Sequence, residues 1–282
     1  MRTRLLATTV LFAALAFAAP SVASAKLKTE TVTSGAVKAV LTYDVGPGFS
    51  NVSGTHLAIS RSGATVLDTD VPEPCNGCGI VPAGSGGGTA KSLQVADLDG
   101  DGEPEVLLDI YTGGAHCCLD TWIYRFTGTT YTGTPARWGD VGYAVKDLDG
   151  DGITELRSFD DRFAYAFTDF AESWFPPQIW QFRAGKLNDV TRNYPALIKS
   201  DVKRALRVYH GRARRTGDLR GVVAAYVADQ YLLGHGSAGW KLVRSARKAR
   251  LLNGLGHGDP WPHGARFAPA LRKFLRRNGY IG

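Results

Sequence analysis

The chain has 282 residues and a formal net charge of +7 at pH 7, with 33 lysines and arginines against 26 aspartates and glutamates. That balance is not uniform: residues 26–195 hold 13 basic and 22 acidic side chains, and residues 196–282 hold 18 basic and 4 acidic, so −9 gives way to +14. The step excludes a uniformly basic protein and indicates two modules with different surfaces, and the longest apolar run is too short for a comfortable membrane span.

That run lies at the start. Arg2 and Arg4 precede apolar residues 5–19, and Ala23-Ser24-Ala25 has the small-x-small pattern of a signal peptidase site, so residues 1–25 read as a secretory leader. No cysteine follows the expected cut, which argues against a lipid anchor. The expected destination is extracellular or periplasmic, where millimolar calcium and oxidised cysteines are both compatible with the compartment. No transmembrane segment is expected after the leader.

Residues 26–195 read as β-structure. Runs at 37–43, 56–60, 92–96, 106–111, 121–126, 143–145 and 179–182 are short, rich in branched and aromatic residues, and separated by Gly, Asp or Pro. Asp-Leu-Asp-Gly-Asp-Gly occurs at 97–102 and again at 147–152, each copy followed after two intervening residues by a glutamate, Glu105 or Glu155. Asp97, Asp99, Asp101 and Glu105, and likewise Asp147, Asp149, Asp151 and Glu155, occupy positions 1, 3, 5 and 9 of a tight turn. Four carboxylates in register would repel one another unless a cation sat among them, and hard oxygen ligands in that number suit Ca²⁺ better than Mg²⁺. The loops are not EF-hands: position 12 is Leu108 or Ser158, and no helical pattern flanks them.

Each acidic turn is followed by an aromatic strand ending in Gly, at 124–128 and 180–185, so a sheet unit repeats about every 50 residues. On these residues the chain resembles the FG-GAP or VCBS repeats of integrin-like β-propellers, over roughly residues 91–190. The resemblance implies blades with calcium-binding turns, one ion per turn, and carbonyl ligands at position 7 from Glu103 and Ile153. With only two clear repeats, a partial, propeller-like β-domain is expected.

Four cysteines form two pairs, Cys75 with Cys78 and Cys117 with Cys118. If 92–96 and 106–111 form a hairpin about the first acidic turn, both pairs fall at the opposite end and could be neighbours. Secretion favours disulfides, either within each pair or between the pairs. A zinc site from Cys75, Cys78, His116 and one of the vicinal pair, or a cysteine nucleophile assisted by His116, are the alternatives.

Residues 196–282 change to helical period. Val202, Ala205, Leu206 and Tyr209, then Leu219, Val222, Val223, Tyr226 and Val227, then Trp240, Val243 and Leu251 recur at helical spacing, with Ser237 as a candidate N-cap and a last helix over 267–278. Three or four antiparallel helices are expected. Arginines and lysines cluster at Arg212, Arg214, Arg215 and Arg220, at 241–250, and at 272–277. They suit an anionic polymer or surface, or docking onto the acidic β-domain. His235, His257 and His263 lie in Gly-rich turns and could gather on a metal. No nucleophile elbow, His-Glu-x-x-His helix or phosphate-binding loop occurs. The expected protein is a mainly β, calcium-binding secreted module with an α-helical C-terminal domain, acting by binding an unknown extracellular ligand. A secreted hydrolase on the same scaffold and adhesion through the basic helices are the rivals.

Overall fold

The computed structural model describes residues 25–48, 51–86, 91–114, 118–213, 217–254, 256 and 258–282. All but the last residue of the expected leader, together with His116, Cys117, Arg214, Arg215 and His257, lies outside them.

Three antiparallel sheets follow one another along the chain. The first is a meander of β1 (Lys26–Ser34), β2 (Val37–Val45), β3 (Val52–Arg61) and β4 (Ala64–Asp70). In the second, β5 (Val81–Pro82) and β6 (Leu93–Ala96) share one edge of β7 (Glu105–Tyr111), which pairs on its other side with β8 (Leu119–Phe126) and then β9 (Tyr131–Gly139). The third runs β10 (Tyr143–Lys146), β11 (Glu155–Phe159), β12 (Pro177–Arg183) and β13 (Lys186–Asp189).

Period-2 side-chain alternation explains how the sheets stack. On β7, Val106, Leu108 and Ile110 join Leu41, Leu57 and Ile59 of the first sheet in one core, while Leu107 faces the other way into a cluster with Ile123, Leu156 and Phe182. The middle sheet is therefore covered on both faces, and β7 is buried along nearly its whole length. Glu30 ties the first two sheets together, accepting from the Tyr43 hydroxyl at 2.8 Å and from the Ser92 amide and hydroxyl at 3.0 and 2.9 Å.

The expected propeller is not formed: among the described residues the three sheets do not close into a ring. Strand and turn signals are local and specify each meander, whereas ring closure needs further blades. Here the chain leaves β13 through a short 3-10 turn and enters a helix instead. Four helices follow, α1 (Pro195–Arg212), α2 (Arg220–Leu232), α3 (Gly236–Lys248) and α4 (Phe267–Arg277). Proline at the first position of α1 supplies a preset φ where no amide partner is needed. α2 is buried on nearly every side, in a core completed by Trp240 and Val243 of α3, by Phe267 and Leu271 of α4, and by Phe163 and Phe167 from the segment before β12. Ser237 is not the N-cap: α3 begins a residue earlier, with His235 flanking it and no side-chain cap. Among the described residues no helix is long and apolar enough to cross a membrane.

Candidate metal centre

The two acidic loops are the turns from β6 to β7 and from β10 to β11, and they fold alike. In the first, Asp97 accepts from the amides of Gly100 at 2.8 Å and Gly102 at 3.0 Å, and Asp101 accepts from the Glu103 amide at 2.8 Å. In the second, Asp147 accepts from Gly150 at 2.7 Å and Gly152 at 3.1 Å, and Asp151 from the Ile153 amide at 2.8 Å. Glycine at positions 4 and 6 is required because the chain turns there through the left-handed region, with φ of 74° and 83° at Gly100 and Gly102 and 83° and 85° at Gly150 and Gly152. The position-9 glutamates start β7 and β11 and reach back to the amide at position 2: Glu105 to Leu98 at 3.0 Å, Glu155 to Leu148 at 2.9 Å. Leu98 points into the core between the second and third sheets, which pins the first loop.

The loops lie side by side. The Thr154 hydroxyl donates to the Asp97 carbonyl at 3.4 Å, and a Cβ on Gly100 would stand 3.2 Å from Ile153 Cγ1. Oxygens of Asp97, Asp99 and Asp101 gather within 4.8 Å of one another in the first loop, as do those of Asp147, Asp149 and Glu155 in the second. Of the position-7 residues expected to supply carbonyls, Glu103 turns its carboxylate to Arg61 at 2.5 Å, and Ile153 packs against Gly100.

The environments then diverge. On β12, Gln181 is the register partner of Glu155 and donates to its Oε1 at 2.8 Å, and the Tyr194 hydroxyl donates to Asp149 at 3.3 Å. At the equivalent place on β8 stands Arg125, which reaches past Glu105 to Asp101 at 3.4 Å and Asp99 at 3.9 Å. Glu105 is only 1% exposed, yet among the described residues its Oε1, and Oδ1 of Asp99, have no hydrogen-bond partner. Burial, with the nearby Asp99, Asp101 and Asp97 charges adding to it against the Leu98 amide, pushes the Glu105 carboxyl up to about 7. The amides of Gly150 and Gly152 hold Asp147 below the usual carboxylate range. Arg61, Arg125, Gln181 and Tyr194 were not picked out from the sequence, although aligning the two aromatic strands sets Arg125 against Gln181.

Cys75 and Cys78 are joined in a disulfide, and Cys118 is disulfide-bonded as well. Cys75, Cys78 and Cys118 line one cavity, so Cys118 lies near the first pair at the end of the middle sheet away from the acidic turn, while Cys117 is outside the described residues. Among the described residues the histidines do not converge: His56 binds Asp68 and Asp70 across β3 and β4, and His263 donates from Nδ1 to the Trp261 carbonyl and accepts from Arg266 at Nε2. Neither group of potential metal ligands among the described residues contains a histidine.

The basic helices present an exposed face. Lys241, Arg244, Arg247, Lys248 and Arg250 around α3, and Arg272, Lys273, Arg276 and Arg277 on α4, are all exposed. The four acids of residues 196–282 are turned inward. Arg220, 0% exposed, holds Asp218 at 2.6 Å and Asp259 at 2.7 Å; Asp201 pairs with Arg204; Asp229 is fully buried on α2. Among the described residues Arg212 docks in the expected manner, paired with Glu172.

Residues 198–279 match the family described as the sll0997 C-terminal domain. The chain is 30% identical over 160 residues to "Probable thylakoid lumen protein sll0997" of Synechocystis sp., covering 54% of this chain and 46% of that protein. It is 27% identical over 202 residues to "Uncharacterized protein y4bJ" of Sinorhizobium fredii, covering 64% of this chain and 30% of that protein. The chain thus spans less than half the length of these curated relatives. No solved structure matches it significantly. The resemblance to FG-GAP or VCBS repeats is overturned: the family that matches is a different one, and it covers the helices rather than the acidic turns. The doubled motif is a hexapeptide that specifies a local glycine turn, which does not by itself fix the family.

Proposed function

We propose that the protein is a secreted calcium-binding module that acts by presenting a binding surface rather than by catalysis. The first acidic turn carries the reading. Glu105 Oε1 and Asp99 Oδ1 are buried carboxylate oxygens without a donor among the described residues, and Asp99 gathers with Asp97 and Asp101 within 4.8 Å, a group that does not include Glu105. Leaving such groups unpaired costs about 1–3 kcal/mol each, more when charged, and a hard divalent cation removes that cost. Asp97, Asp99, Asp101 and Glu105 would hold one ion, and Asp147, Asp149, Asp151 and Glu155 a second. Each ion would supply charge neutralisation between a turn and the strand that follows it. Secretion is supported by the leader-like residues 1–25, by the Cys75–Cys78 disulfide, and by similarity to a protein named for the thylakoid lumen.

Melting curves in calcium and in excess chelator test the reading. A site filled to about 100 times its dissociation constant stabilises the native state by about 2.7 kcal/mol. Calcium should raise the melting temperature, Asp97→Asn and Asp147→Asn should each remove part of the rise, and the double variant should melt alike in both media. Identical wild-type curves in calcium and chelator would count against it.

A second binding surface is favoured by one observation: all four acidic residues of 196–282 are internal, so the outward faces of α3 and α4 are cationic without interruption. Such a face attracts polyanions in a salt-dependent way. Retention on heparin should fall steeply with salt and fall further in a variant carrying Arg244→Glu, Lys248→Glu and Arg276→Glu; equal retention of both would argue against it.

A further inference from the structure

Away from the acidic turns, a cavity of about 900 Å³ opens between the second sheet, the third sheet and the end of α4. That volume lies in the range of established small-molecule sites. Several polar groups on its wall are already committed. Arg162 grips Asp160 through two bonds of 2.7 Å, Tyr280 donates to the same carboxylate at 2.8 Å, and the Trp138 indole N–H donates to Thr121 at 2.9 Å. These contacts fix the wall and leave nothing over for a ligand.

Other groups on the wall are unspent. Among the described residues the side-chain amide of Gln178 and the indole N–H of Trp180 have no hydrogen-bond partner, and the Asp120 carboxylate has no hydrogen bond although it feels the charge of Arg137, its register neighbour on β9; all line the cavity. Asp161 accepts from the Asp140 amide through one oxygen only, and Arg137 spends one N–H on the Pro74 carbonyl at 2.8 Å. Both acceptors and donors therefore line a space whose apolar walls include Trp138, Trp180 and Phe159. Burial holds both the Asp120 and Asp161 carboxyls above the usual range.

This combination selects a ligand by exclusion. An anion would meet Asp120 and Asp161. A cation would leave the N–H groups of Trp180, Gln178 and Arg137 facing it without acceptors. A neutral molecule dense in hydroxyls, each both donor and acceptor, satisfies both kinds of group, and one with C–H faces also fills the space against the indole. We propose that this cavity binds a short neutral saccharide, with Trp180 against a sugar ring, Asp120 and Asp161 accepting from hydroxyls, and Gln178 and Arg137 donating to them. The proposal stands apart from the calcium reading, because none of these residues belongs to either acidic turn.

The test is a titration of the full-length protein with maltotetraose, cellotetraose, chitotetraose and, as a charged control, tetragalacturonate, followed by tryptophan emission and saturation-transfer NMR. At least one neutral tetrasaccharide should bind saturably below about 10 mM. Loss of one hydrogen-bonding group should weaken it about fivefold or more in Asp120→Asn and in Gln178→Ala. Both variants should keep the wild-type melting temperature, and a variant that does not is replaced by Trp180→Phe, which removes the indole N–H and part of the aromatic face and should likewise weaken binding. Absence of saturable binding by every neutral sugar would overturn the proposal. So would tighter binding of tetragalacturonate than of any neutral sugar, or affinities that the folded variants leave unchanged.

Discussion

Replacing Arg220 by methionine should be among the most damaging single changes in the helical region, and its size can be worked from the contacts. The guanidinium is 0% exposed and donates to Asp218 at 3.0 and 2.6 Å and to Asp259 at 3.0 Å, while Thr168 adds a bond of 2.6 Å to Asp218. Both carboxylate side chains are only 3% exposed, so the variant leaves two buried negative charges facing one another without a counter-ion. Breaking a buried pair in this way costs about 3–5 kcal/mol, which for a chain of this size lowers the melting temperature by about 6–20 °C. The pH dependence gives a sharper signature. In the native protein burial alone would raise Asp218, but the bonds from Arg220 and Thr168 outweigh it and hold the carboxyl below its ordinary value. A depressed folded pKa stabilises above the unfolded value, near 3.9, and that contribution is lost as pH falls through the folded value. Without Arg220 burial is unopposed by the guanidinium and the folded pKa rises, so the variant loses stability as pH climbs through the carboxyl range. Calorimetric melts from pH 4 to 8 should therefore show a gap between wild type and Arg220→Met that widens with pH. A gap under about 2 °C at pH 7, or one constant across the series, would refute the reasoning.

Asp229 is fully buried, and burial, with Asp201 beside it, raises its carboxyl well above the usual range. A raised acid costs the native state stability as pH rises between the unfolded and folded pKa values, so Asp229→Asn should flatten the loss of melting temperature between pH 5 and 9; an unaltered slope would contradict this. Arg125→Gln should copy the second turn onto the first, removing a competing cation within 4 Å of Asp99 and Asp101. Calcium affinity of that turn should rise about fivefold, the equivalent of about 1 kcal/mol for a partly exposed charge; titration calorimetry showing no change would count against the assignment of Asp99 and Asp101 as ligands. The native, unreduced protein should release no titratable thiol, since no cysteine is free among the described residues. Two or more reactive thiols would contradict the disulfides.

The acidic turns were legible because their chemistry is local: identical hexapeptides dictate the same glycine turns and the same aspartate-to-amide bonds. Some strands with a buried face were legible for the same reason, as in β2, where Val37, Ala39, Leu41 and Tyr43 alternate inward. β1, β4, β9, β11 and β13 were not. β1 and β13 carry alternating polar residues at a sheet edge, and Leu27 on β1 is 64% exposed, so no hydrophobic period marks them, while Gly133 and Pro135 interrupt β9. The helical period of 196–282 gave the helices, but not the inward turn of its acids, because Asp218 meets Asp259 only across the packed core. Ring closure was misjudged because a meander sheet looks the same from sequence whether or not it has neighbours on both sides. The cavity was out of reach: its wall is assembled from segments near residues 75, 113, 120, 137, 160, 178 and 278, and apart from Gln178 and Trp180 on β12 its unspent groups come from separate segments.

The central claim is that the two acidic turns bind calcium. Isothermal titration of chelator-treated protein, with elemental analysis of the refilled sample, measures this directly. The account predicts two calcium ions per chain, reduced to one by Asp97→Asn or by Asp147→Asn. A protein that takes up no calcium at millimolar concentration, or takes up the same amount after both substitutions, would contradict it.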